Sequence, residues 1–403
     1  MTTGNMNWRS LMLAPHRMFF TTGLAYLVLV SGWWLAMQIA RTWFGTRLEP
    51  LVPGLISHGA MMLFLVFTPF MFGFLITVFP RWQPAPALPQ RLCQMAFALM
   101  LLALPLLLAG LYCSQELFLI GWLLYLAGWA LVVGGLFSSW LVAKETVSHS
   151  QGVLIGLAAG LMASLAFAWM LTKGRFDLWP YVRSMGLWGF LLTVFFTVSH
   201  RMVPFFTSCV IKDYKVWRPD WMLRTFVLLA LARAALELHP KFSWVPVLGM
   251  SLIALVFAMR WRPRVEHGNP LLSVLHISFA WLVIGLFLQL GQDLGMAVFA
   301  THWLGRAPLH ALTLGFLGGM LLSMITRVTM GHSGRALVLD KAGWWIFLMT
   351  QFAAVARVAA EVFPSTSVWM NLLAAGVWFL ALAAWAAKYG PAFLQPRVDG
   401  QPG

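Results

Sequence analysis

This sequence predicts an all-α, polytopic membrane fold of about twelve transmembrane helices, and three observations carry that reading. Hydrophobic residues make up 61% of the 403 and charged residues only 10%, with mean hydropathy +0.80, whereas a soluble domain carries about 25% charged residues. Apolar runs long enough for the ~20 residues a bilayer core requires recur along the whole chain, separated by polar, proline or glycine breaks. Lysine and arginine are dense in one intervening loop and sparse in the next.

The predicted segments cover residues 19–40, 55–79, 92–112 and 117–142, then 152–172, 181–199, 221–238 and 244–260, then 271–292, 308–330, 343–363 and 368–388. The first follows Arg9 and Arg17 and, at about twenty residues, is too long for a signal-peptide core. It reads as a retained helix. Placing the N-terminus inside assigns eighteen Lys and Arg to inner segments and seven to outer ones, with Arg233 and Arg357 inside helices. By the positive-inside rule both termini face the cytoplasm, and the chain forms one integral domain, 1–403, of an inner membrane. The net charge of +15 does not indicate nucleic acid, because the basic residues are scattered through short loops rather than gathered on one face. Membrane lipid is the partner that composition implies. Cys93, Cys113 and Cys209 lie in or beside apolar stretches with no metal-like spacing, and read as packing residues.

The chain also repeats itself. ARAALELHP at 232–240 returns as ARVAAEVFP at 356–364, TVFPR ending at Arg81 resembles TVSHR ending at Arg201, and the sixth and tenth segments end alike at Arg201 and Arg327. The simplest account is three four-helix units, 19–142, 152–260 and 271–388.

Histidines are the first candidates for chemistry, because polar and ionisable groups at membrane depth are costly and ask for a partner. His16, His149, His239 and His267 fall between the apolar runs and read as solvated loop residues. His58, one turn into the second segment, and His310, just inside the tenth, share a depth near the outer face. Two such imidazoles facing each other can hold a haem iron axially; the competing reading is that each is simply packed. Met61 and Met62 follow His58 at helical spacing, so an imidazole and a thioether suited to Cu(I) share a face, although packing is the ordinary role of methionine. His276, in the inner half of the ninth segment, and His332, with His200 at the inner helix ends, form a second candidate metal cluster. Gly315, Gly318 and Gly319 permit close approach of a helix or a flat porphyrin. Arg233 with Glu237, and Arg357 with Glu361, have the i,i+4 spacing of intrahelical ion pairs.

The stretch 310–337, HALTLGFLGGMLLSMITRVTMGHSGRAL, closely resembles the signature of the NnrS family of bacterial membrane proteins. The blocks starting at His58, His200 and Leu271 agree in order and spacing, so the resemblance spans most of the chain. It implies a twelve-helix protein with haem, expected as haem b, and copper, associated with nitric oxide and nitrosative stress, often near denitrification. The family's second-helix block resembles HAHEM; here it reads His58, Gly59, Ala60, Met61, Met62, so only His58 carries over. The three-unit plan also resembles the catalytic subunit of haem-copper oxidases and nitric-oxide reductases, whose second and tenth helices supply low-spin haem ligands at places matched by His58 and His310. Their copper site needs an adjacent histidine pair, and no HH occurs here. Three functions follow as expectations: a haem-binding protein of the nitric oxide response with His58 and His310 as axial ligands and His276 as a further candidate, a quinol-linked nitrogen-oxide oxidoreductase, or a cofactor-free transporter.

Overall fold

The computed structural model describes residues 8–45, 48–261 and 268–399, and among these every regular element is a helix. Twelve long helices follow in order: α1 Pro15–Trp43, α2 Gly54–Trp82, α3 Gln90–Gly110, α4 Gln115–Leu141, α5 Ser148–Lys173, α6 Phe176–Ser208, α7 Asp220–Ala235, α8 Trp244–Trp261, α9 Pro270–Phe299, α10 Ala307–His332, α11 Lys341–Val362 and α12 Ser367–Tyr389. Eleven are long and apolar enough to cross a membrane. The remaining one, α7, has 16 residues and ends in a 3₁₀ turn at Leu236–Leu238.

Local chemistry sets several of the helix starts and one of the stops. Ser114, Asn269 and Asp340 each accept a backbone N–H three residues on, the N-cap arrangement that satisfies an orphan donor of the first turn. Pro15 and Pro270 stand in the first turn, where no N–H is needed. Gly174, at φ 62°, closes α5 in the left-handed region that suits glycine.

Helices α2, α6 and α10 form the centre. In these three, 83%, 83% and 78% of the apolar window is buried, against 22% for the window containing α12. The outer helices pair as hairpins around them, and α12 packs on α1 to close the bundle. All three central helices contain a π-helical turn, at Met61–Val66, Met185–Leu192 and Ala311–Gly318. Elsewhere the described long helices are α-helical apart from short 3₁₀ turns. The short helices Trp8–Leu11 and Pro391–Leu394 touch, and Arg17 donates to the Gln395 carbonyl at 2.6 Å, so the first and last described helices lie at one end of the bundle. We call it the terminal end.

The helices overrun the predicted segments, and this corrects two assignments. His16 and His149 are not solvated loop residues: α1 begins at Pro15 and α5 at Ser148, and both imidazoles are buried in the first turn. A hydropathy window sees only the apolar core. The 29 residues of α1 span ~43 Å at 1.5 Å each, longer than the ~30 Å of hydrocarbon. His239 is exposed as expected, and His267 lies outside the described residues. Cys93 is buried, but Cys113 and Cys209 are exposed and do not pack the core, because each follows the last turn of its helix.

Candidate cofactor site

At the end opposite the termini, a cavity of about 410 Å³ opens between α1, α2, α6, α10, α11 and α12, within the ~300–1,000 Å³ of small-molecule sites. Two further cavities, of about 20 and 40 Å³, have room for little more than a water. His58 and His310 both line the large one.

His310 immediately precedes a π-turn and His58 lies three residues before one, and π-turns inside helices are frequent at functional sites. His310 Nδ1 lies 3.0 Å from the Arg306 carbonyl. A carbonyl can only accept, so Nδ1 carries the proton, and the neutral ring keeps its lone pair on Nε2. His58 is oriented by stacking rather than by a hydrogen bond. Its ring lies 3.8 Å from that of Trp34 at 14°, and its buried Nδ1 has no partner among the described residues.

The remaining walls combine flat apolar surface with positive charge. Trp34, Trp179 and Trp378 present indoles, and Leu63, Phe67 and Leu314 fill between them. Glycine brings two of these indoles in close: a Cβ on Gly59 would collide with Trp179, and one on Gly318 with Trp378. Gly315 and Gly319 serve helix packing, against Trp281 and Ser278 of α9. Four arginines border the cavity. Arg41 pairs with Glu49 at 2.8 Å, Arg183 with Glu237 at 3.3 Å, and Arg357 with Glu361 at 2.6 Å. Arg306 donates its backbone N–H to Glu361. Some buried polar atoms without a partner belong to wall residues: Ser31 Oγ, His58 Nδ1, Arg357 Nη1 and Asn371 Oδ1.

This donor set fits a haem. Two imidazoles would hold the iron, one with its ligating nitrogen fixed by tautomer, while indoles flank a planar body and guanidiniums await carboxylates. Copper has one candidate pair in the cavity, His58 with Met62. No group of three His, Cys, Asp or Glu side chains forms a metal cage among the described residues.

The other predicted site residues lie elsewhere. His276 is at the terminal end, 3.2 Å from Thr207 Oγ1, and His332 packs at a tilt against His16 with ring centroids 4.4 Å apart. Neither joins His58 and His310. Sequence reading also missed a pair: His149 Nε2 and His200 Nδ1 share a hydrogen bond of 2.9 Å, walled by Trp82, Phe257 and Trp261. The signal available was HRMVPFF at the end of α6, but its partner across the bundle carries no local pattern.

A family model described as NnrS protein matches residues 10–397. The chain belongs to the NnrS family. No curated protein matches it. The NnrS match covers all twelve long helices, so the cavity lies wholly inside the family's shared region.

Proposed function

We propose that this NnrS-family protein binds haem b in the large cavity, with His58 and His310 as axial ligands, and serves the bacterial response to nitric oxide and nitrosative stress. The observation that carries this reading is the meeting of the two histidines in one cavity, the His310 ring having its Nε2 lone pair free. A haem held by these two imidazoles would supply one-electron transfer and an iron able to bind nitric oxide.

The chain's own residues do the rest. Trp34 fixes the plane of His58, the Arg306 carbonyl fixes the tautomer of His310, and the indole walls exclude water from the ring faces. The charge bias of the loops supports an inner-membrane topology with the terminal end cytoplasmic and the cavity near the periplasm. The π-turns in α2, α6 and α10 support the three-unit plan, since from His58 to Ser184 and from Ser184 to His310 is 126 residues each time. Ser184 and His310 stand one residue before their π-turns and His58 three before its own, and two of the three are imidazoles.

Absorption spectroscopy of protein purified with ample haem supply tests the reading. A Soret band that shifts on adding nitric oxide is the expected result. No Soret band would favour a cofactor-free transporter, and quinol-dependent consumption of nitric oxide would favour an oxidoreductase.

A further inference from the structure

We infer that Arg306 and Arg357 form the anion-binding end of the cavity and receive the carboxylates of its ligand; this rests on the haem reading above. Charge accounting around the walls leads there. Arg41 and Arg183 are answered by Glu49 and Glu237, residues outside the lining. Among the charged wall residues only Glu361 is acidic, and both its oxygens are committed. One meets Arg357 Nη2 and the other accepts the Arg306 backbone N–H. The Arg306 guanidinium therefore borders the cavity with no acid of its own among the described residues. Arg357 Nη1 is buried without a partner.

A guanidinium kept in place with a spare donor is expensive in a low-dielectric wall unless an anion arrives. The matching helix shows the alternative. In α7 the same short motif places Arg233 beside Glu237 at 3.0 Å, and Asp293 of α9 meets it at 3.1 Å, so that guanidinium is enclosed by two acids. In α11 the second acid is missing and the arginine faces a cavity instead. Guanidinium forks hold carboxylates bidentately. Arg306 would thus serve twice, its carbonyl fixing His310 and its side chain holding an acid group of the ligand.

The test compares iron protoporphyrin IX with its dimethyl ester, which keeps the ring and iron but blocks both carboxylates, in titrations of the purified apoprotein. The free diacid should bind at least about tenfold tighter than the diester. Arg306→Gln and Arg357→Gln should each shrink that preference and shift the midpoint potential of the bound haem negative, because a nearby cation has been removed. Arg306 starts its helix at the exposed rim, so its variant should fold normally even where the buried Arg357 variant does not. Equal affinity for diacid and diester in the native protein overturns this inference and leaves the haem reading standing. Binding of neither porphyrin overturns both.

Discussion

Histidines stand at both ends of this bundle and are held in opposite ways. At the terminal end they are spent on the protein: His149 on His200, His16 against His332, His276 on Thr207. At the other end His310 is tied through one nitrogen only and His58 through its ring face, and both rings border open space. The terminal-end imidazoles lean on one another or on a hydroxyl, and the spare His200 Nε2 is sealed in the interior, whereas a ligand is braced on one side and left open to a cavity on the other. Two arginines near the cavity end show a similar contrast with each other. Arg233 is enclosed by Glu237 and Asp293, while Arg357 keeps a spare donor on a cavity wall.

That contrast is sharpened most by Arg233→Leu. Removing the cation strands the buried Asp293, while Glu237 keeps Arg183, and a broken buried pair costs about 3–5 kcal/mol. Thermal melting in detergent should show a large loss of stability. Arg357→Leu should cost clearly less stability, since the carboxylate it strands is partly exposed and keeps the Arg306 N–H, and should act chiefly on ligand binding. Equal melting losses would erase the distinction between closed and open arginines.

His200→Ala comes next. It leaves His149 without its buried partner, which costs about 1–3 kcal/mol, yet the absorption spectrum of any bound haem should stay unchanged. A lost or altered Soret band in this variant would show that the terminal-end pair is not merely structural.

Trp34→Leu is expected to be milder. Losing a stacked aromatic neighbour is worth about 0.5–1.5 kcal/mol, and the haem should remain while the low-spin electron paramagnetic resonance g values move as the His58 plane relaxes. Unchanged g values would remove Trp34 from the site.

The smallest effect belongs to Asp340, which caps α11 through the Gly343 N–H at 2.8 Å and accepts from Lys388 at 2.6 Å. Partial burial acts to raise this carboxyl, but the Lys388 and Gly343 hydrogen bonds together hold it below the usual carboxylate range. A lowered folded-state value means stability that is present above the unfolded value near 3.9 and lost as pH falls through the folded one. With the carboxylate more than half exposed, the ion pair is worth only a few tenths of a kcal/mol after screening. Asp340→Asn should therefore flatten the acid limb of stability slightly and leave neutral pH nearly untouched.

The sequence made legible whatever depends on runs and short spacings. The apolar segments gave twelve helices, i,i+4 spacing gave the Arg233–Glu237 and Arg357–Glu361 pairs, and equal depth in even-numbered segments brought His58 and His310 to one end. Helix overrun stayed hidden, because the polar first turns that bury His16 and His149 lie outside the apolar window. Tertiary partners stayed hidden as well. Nothing near Arg233 announces Asp293, sixty residues on, and nothing near His58 announces the Trp34 ring that orients it.

The central claim is that the openly held histidines, and not the paired ones, carry the cofactor, and a spectrum of single-alanine variants tests it most directly. His58→Ala and His310→Ala, each purified with ample haem supply, should lose the six-coordinate low-spin signal that the native protein and His200→Ala retain. If both variants keep a full low-spin spectrum, the cavity histidines are not the axial ligands and the account of this site is wrong.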